Sequence, residues 1–299
     1  MDPLIIGFGL GVGLLIGLTG IGGGSLMTPL LLIFGGYSPV VAIGTDVAYG
    51  AITKTLGGWR HLRAGHVDLR LSWWLAAGSV PGSLVGVIAV SGLHDAYGDT
   101  FDTYLLAAVA VSLMLASVAA LYRALFRPGL VAKERDSALL ERRVSKVGTA
   151  SIGAVLGFIV GLTSVGSGAL VGLALIVLYK LKPRRVVGTD VFHAAVLLWT
   201  AGIAHFVSGN VDLGLMATIL VGSLPGVWIG TALVSHVPVG GLRIGLGVIL
   251  AAAALGVLSK AGLEVPGSVI LGVPAVIAVL AFFIQRAHLG PVPEPRPAD

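Results

Sequence analysis

The stretch Gly17-Leu-Thr-Gly-Ile-Gly-Gly-Gly-Ser25, with Thr28 and Pro29 just beyond it, decides how this chain is read. It interrupts an apolar run that would otherwise form a single long membrane helix. Three consecutive glycines each cost roughly 1 kcal/mol against alanine in a helix interior. In lipid, the backbone groups freed by such a break have no water to turn to and must find partners in the protein. A break at membrane depth therefore predicts either the lining of a cavity or tight packing between small residues.

The surroundings place that break in a bilayer. Of 299 residues, 56% are hydrophobic and 11% charged, with 45 glycines and no cysteine. A soluble domain carries about 25% charged residues. Apolar stretches of membrane-spanning length, enough for roughly 30 Å of hydrocarbon, recur from end to end. The runs are continuous rather than alternating, which excludes a transmembrane β-barrel. The expected class is all-α and polytopic. Met1-Asp2-Pro3 has no basic region, so the first segment is expected to be a retained helix and not a cleaved leader. The lack of cysteine excludes disulfides, thiolate catalysis and Cys-ligated metals. No cofactor, metal site or nucleic-acid partner is expected, and the net charge of +5 lies mostly in loops.

The sequence then repeats itself. Gly17-Leu-Thr recurs at Gly161, Gly44-Thr-Asp at Gly188, and His61 at His205. Gly65-His-Val-Asp-Leu recurs as Gly209-Asn-Val-Asp-Leu, and Gly78-Ser-Val-Pro-Gly as Gly222-Ser-Leu-Pro-Gly, all displaced by 144 residues. The register holds without a gap from position 17 to 86, with about a third of the positions identical. Each half divides into five apolar segments: 3–19, 25–35, 39–59, 70–91 and 103–123, then 146–163, 169–180, 185–206, 212–234 and 241–259. An unpaired helix follows at 266–286. The expected organisation is a first membrane repeat over 1–123, a cytoplasmic linker over 124–145 and a second repeat over 146–260. An additional helix lies within 261–288, and a Pro-rich disordered tail runs over 289–299. The second segment of each half has about a dozen residues, roughly 17 Å of helix, too short to span, so it is expected to be broken or re-entrant.

Loop charge sets the orientation. Arg60, Arg63 and Arg70 flank the loop after the third segment of the first half, whereas its counterpart, His205 to Asp212, has no Lys or Arg. Conversely, Lys180-Leu-Lys-Pro-Arg-Arg185 answers an uncharged loop in the first half, and Arg123 to Lys146 carries seven Lys or Arg. By the positive-inside rule, equivalent loops fall on opposite sides. The repeats are thus expected to be inverted, with the N-terminus outside and the C-terminus inside. Inverted repeats with helices broken near the midplane are a pattern of secondary transporters.

The glycine-rich break followed by a Pro-containing short helix, the paired Gly-Thr-Asp and the Gly-x-Val-Asp loops together resemble the TauE/SafE family of sulfite and organosulfonate exporters. The resemblance covers residues 4 to 286 and is most specific at Gly17 to Pro29 and Gly44 to Asp46. It implies a cytoplasmic-membrane permease, not an enzyme, for small sulfur oxyanions such as sulfite, sulfoacetate or other sulfonates. Some members are assigned to uptake. In the second half, Ser164-Val-Gly-Ser-Gly168 replaces Gly20-Ile-Gly-Gly-Gly24, and Leu173 stands where the first half has Pro29.

Candidate site residues follow from the two breaks. Unpaired N–H groups at a helix start carry the positive end of its dipole and attract anions. Gly22, Gly23, Gly24, Gly166 and Gly168 would let an oxyanion approach the backbone, and Thr19, Ser25, Thr28, Thr163 and Ser167 offer hydroxyls. The other reading of the glycines is close helix packing. Thr45-Asp46 and Thr189-Asp190 place two carboxylates inside the bilayer, where they either couple or gate transport or bond exposed N–H groups to fix the break. Lys54 follows Asp46 by two turns on one face and is expected to neutralise it or attract the anion. His193 follows Asp190 by three residues and is expected to meet it. Asp68 and Asp212 read as N-caps, Pro81 and Pro225 as kinks, His61 and His205 as interfacial, and Trp59, Trp73 and Trp74 as an aromatic belt.

The sequence function is a secondary transporter of small sulfur-containing anions, with proton coupling and homodimerisation both compatible. The alternative is a proton- or cation-conducting channel centred on Asp46 and Asp190. A distant third reading, an intramembrane protease, rests only on Val165-Gly-Ser-Gly168, and no metalloprotease or nucleophile-elbow motif is present. In this cysteine-free chain, single cysteines at positions 64 and 208 are expected to react with impermeant thiol reagents from opposite sides; labelling from one side would refute the inversion.

Overall fold

The computed structural model describes residues 2–19, 24–125, 145–233 and 239–289. Gly22 and Gly23, nearly all of the expected linker and the C-terminal tail from 290 on lie outside them. The described residues form helices α1 (Pro3–Thr19), α2 (Gly24–Ile33), α3 (Pro39–Arg63), α4 (Leu69–Tyr97), α5 (Asp99–Leu125), α6 (Lys146–Thr163), α7 (Leu170–Val177), α8 (Pro183–Val207), α9 (Leu213–Leu233), α10 (Val239–Lys260) and α11 (Gly267–Leu289). Seven of these, α4 to α6 and α8 to α11, are long and apolar enough to cross a membrane. The protein is an all-helical polytopic membrane protein. Helix α3 has the length, 25 residues, but carries Asp46, Lys54, Arg60 and Arg63. Helices α2 and α7, of 10 and 8 residues, are too short to cross.

Local chemistry sets the boundaries in matched pairs. Pro39 and Pro183 open α3 and α8 at positions where a missing N–H costs nothing. Gly65 and Gly209, at φ of +69° and +76°, turn the chain just past the ends of those helices. Asp68 Oδ1 then accepts from Leu71 N–H at 3.1 Å, and Asp212 Oδ1 from Leu215 N–H at 2.9 Å, so both are N-caps as expected.

The packing pairs helices across the two halves. Helix α1 lies along α9, α4 along α6, α3 along α8 and α5 along α10. Displacement by 144 residues turns the α1–α9 contact into the α4–α6 contact. Their small-residue stripes correspond too: Gly9, Gly13 and Gly17 meet the backbone of Ile219, Ser223 and Val227, while their counterparts Gly153, Gly157 and Gly161 meet Leu75, Ser79 and Ser83. In both pairs the contacts advance together, so the helices run parallel. Between α3 and α8 they run in opposite order, Ala48 against Gly202 and Gly57 against Val191. Trp199 Nε1–H donates to Thr55 Oγ1 at 2.7 Å, a bond between a residue and its own counterpart. Such approaches carry van der Waals contact where lipid offers no hydrophobic drive between helices.

Large apolar side chains such as Ile88, Leu271 and Trp228 face outward, as bilayer contact requires. Trp59, Trp73 and Trp74 are also exposed. Arg63 lies 4.1 Å from the Trp59 ring centre and Lys146 5.4 Å from that of Trp74, as interfacial anchors do. A β-carbon at Gly157 would sit 2.7 Å from the Ser79 carbonyl carbon, whereas one at Gly7 would meet nothing within 4 Å. Gly157→Val is therefore expected to lose at least about 1–3 kcal/mol through overpacking. It should lower the melting temperature in detergent, with Gly7→Val leaving it unchanged.

Candidate functional site: two helix breaks, each seating a carboxylate

The first break ends at Gly24, where α2 begins. Ser25, Thr28, Thr45 and Asp46 are all buried around it. Asp46 Oδ2 accepts three hydrogen bonds: from Thr28 N–H at 3.2 Å, from the Thr28 hydroxyl, and from the Ser164 hydroxyl at 2.9 Å. Ser164 belongs to the other break, so this carboxylate joins α2, α3 and the tip of the second half. Gly24 completes the contact, since a β-carbon there would lie 2.7 Å from the Ser164 carbonyl oxygen. Among the described residues, Asp46 Oδ1 and Ser25 Oγ have no hydrogen-bond partner.

The second break runs through Ser164, Gly166 and Gly168, at φ of 62°, 123° and 108°. Asp190 takes a hydrogen bond from the backbone of Gly168 and faces two cations, Lys54 of α3 and Arg123 of α5. Asp190 is 3% exposed, Lys54 5% and Arg123 6%, so all three charges are out of water. Arg123 Nη1 donates to the Gly168 carbonyl at 2.9 Å. Its guanidinium fills the space beside Gly172, where a β-carbon would fall 2.5 Å from Nη1. The first-half counterpart of Gly172 is Thr28. Where one half uses a threonine to bond its aspartate, the other leaves room for an arginine.

The paired Gly-Thr-Asp serves three separate purposes. Gly44 and Gly188 lie against the backbones of Asn210 and His66. Thr45 Oγ1 accepts from Asp212 N–H at 3.0 Å, and Thr189 Oγ1 from Asp68 N–H at 2.9 Å. Each threonine thus fastens the capping loop of the opposite half, and the aspartate one residue on reaches a break.

Several expectations need correction. Lys54 faces Asp190, not Asp46, because α3 packs on α8 and turns that face toward the other half. His193 does not bond Asp190; its Nε2 hydrogen-bonds Ser79 Oγ at 2.9 Å. His205 is not interfacial: it is fully buried, with Nε2–H donating to the Gly161 carbonyl at 3.0 Å and Nδ1 accepting from Asn210 at 3.2 Å. Arg123, counted among the loop charges that set the orientation, is a buried residue in the last turn of α5. Thr19 and Thr163 direct their hydroxyl hydrogens to Leu15 and Ile159 carbonyls of their own helices, both at 2.7 Å. Ser167 is buried beside Gly166 and Gly168.

Arg123 is the site residue that sequence reasoning missed. A basic residue closing an apolar span reads as an interfacial anchor, and no local signal separates that from a side chain turned inward. A Thr28→Val change removes one donor from Asp46 and leaves a buried carboxylate short of a bond. A loss of about 1–3 kcal/mol is expected, read as a lower melting temperature, with Ser25→Ala costing less because Ser25 Oγ has no hydrogen-bond partner among the described residues.

Comparison with known proteins agrees with this architecture. The profile of the family described as "Sulfite exporter TauE/SafE" matches residues 5–257. The chain is 40% identical over 233 residues to the probable membrane transporter protein YjnA of Bacillus subtilis (strain 168), covering 78% of this chain and 90% of that one. It is 29% identical to the probable membrane transporter protein YunE of the same organism, over 76% of this chain and 85% of that one. The probable membrane transporter protein YdhB, also from B. subtilis, is 25% identical over 76% and 88% of the two chains. No solved structure matches significantly. All three relatives are named as probable membrane transporter proteins, and the family as an exporter, not an enzyme. On the match across most of its length, and on the two-break architecture that accompanies it, this chain belongs to the sulfite exporter TauE/SafE family of membrane transporters.

Proposed function

We propose that the protein is a secondary transporter that moves a small sulfur-containing anion, such as sulfite, sulfoacetate or another sulfonate, across the cytoplasmic membrane. The anion is held where the two breaks meet, and transport proceeds by rocking one repeat against the other. The observation that carries this reading is the contact of the two breaks through Ser164, Asp46 and Gly24. Polar groups of both halves and one buried carboxylate come together there in an apolar bundle, which supports a transport site.

Inverted repeats over 1–123 and 146–260, with the N-terminus outside, are part of the same proposal. The opposed course of α3 and α8 supports them, as does the exchange of α1–α9 for α4–α6 under the 144-residue shift. Proton coupling through Asp46 belongs here as well. That carboxylate is buried and hydrogen-bonded by neutral donors, so carrying a proton would remove its charge from the membrane without disturbing an ion pair.

Proteoliposomes supply the test. Saturable movement of sulfite or a sulfonate is expected, accompanied by a pH change in the lumen. Asp46→Asn should abolish the pH change. Failure of every small anion in the panel to move would refute the transporter reading, and single-channel currents without saturation would favour a channel.

A further inference from the structure

The two breaks are matched in sequence but opposite in charge. At the first, Asp46 is bonded by Thr28 and Ser164, and among the described residues no Lys or Arg contributes to its surroundings. At the second, Lys54 and Arg123 both face Asp190, and Arg243 of α10 faces Arg123 in turn. The first break thus holds a carboxylate among neutral donors, and the second an excess of positive charge. The difference arises at two substitutions between the halves: Lys54 stands opposite Leu198, and Gly172, which admits Arg123, stands opposite Thr28.

We propose that the transported anion binds at the second break, against Lys54 and Arg123, and that Asp190 is a built-in competitor for that seat. The proposal rests on the transporter reading above and says which half holds the charge. Asp190 takes a backbone N–H at the start of a short helix and is faced by an ammonium and a guanidinium, the set of groups a small oxyanion would use. An anion found in such a set marks it as an anion site, and here the anion is the protein's own. Two further observations point the same way. Lys54 Nζ, in a side chain 5% exposed, has no hydrogen-bond partner among the described residues, nor does Arg123 Nε. Buried cationic donors left short of partners are costly, and an oxyanion carries acceptors for both. Asp190 Oδ1 is likewise without a partner, so the carboxylate fills the seat incompletely and an oxyanion with three acceptor oxygens could fill it better.

A resident competitor also suits transport. Without Asp190, the uncompensated cations would hold an anion too tightly to release it. With Asp190 returning, the anion is exchanged for an internal one.

The test is binding of sulfite and of sulfoacetate to the purified full chain, read by ligand-induced thermal stabilisation, alongside transport in proteoliposomes. Asp190→Asn removes the competing charge with little change of shape and is expected to tighten binding at least tenfold while slowing turnover. A gain in affinity cannot arise from misfolding. Lys54→Gln and Arg123→Gln are expected to weaken binding at least tenfold, with Arg123→Lys recovering part of the loss. Unchanged or weakened binding in Asp190→Asn, in a protein whose wild type does bind these anions, would overturn this inference and leave the transporter reading intact. If the wild type neither binds nor moves any of them, both fail together.

Discussion

The carboxylate of Asp46 is the interaction on which the centre of this protein depends. A charge buried in a membrane bundle must be satisfied locally, because no water is available and an unsatisfied polar group costs several kcal/mol. Asp46 meets that demand at Oδ2, with donors from α2 and from the tip between α6 and α7, while Oδ1 has no partner among the described residues. Gly24, at the edge of the first break, and Ser164, in the second, thereby meet at one polar junction. The glycine stripes of α1 and α4 bring α9 and α6 to backbone contact.

A second demand follows from the first. The capping loops at Asp68 and Asp212 must reach across to the opposite half, and Thr189 and Thr45 receive them. Each Gly-Thr-Asp therefore serves the break and the far loop at once. A substitution in any of the three would disturb contacts between the two halves.

Much of this was legible in the sequence, and the reason is local. Helix spans follow from apolar length, caps from Asp68 and Asp212 beside their helix starts, and the pairing of the halves from Gly, Pro and Asp held in register. The contents of the site were only half legible. The residues at each break could be named, but periodicity tells which face a side chain shares, not which helix that face meets. Lys54 and Asp46 share a face of α3, yet packing on α8 gives Lys54 to Asp190. Arg123 was hidden for the opposite reason: its position at the end of a span is where an anchoring arginine also belongs. The hydroxyls expected to bind substrate at Thr19 and Thr163 turn back on their own helices, a local competition that composition does not reveal.

What emerges is a pair of related seats with different electrostatics, one closed by neutral donors around Asp46 and one lined by cations around Asp190. A structure determined in the presence of selenite, whose selenium is easily located and whose shape is close to that of sulfite, tests this most directly. The account predicts selenite against Lys54 and Arg123 with the Asp190 side chain turned away, and Asp46 still bonded to Thr28 and Ser164. Selenite bound at Ser25 and Thr28, with Asp190 in place and Asp46 displaced, would contradict it.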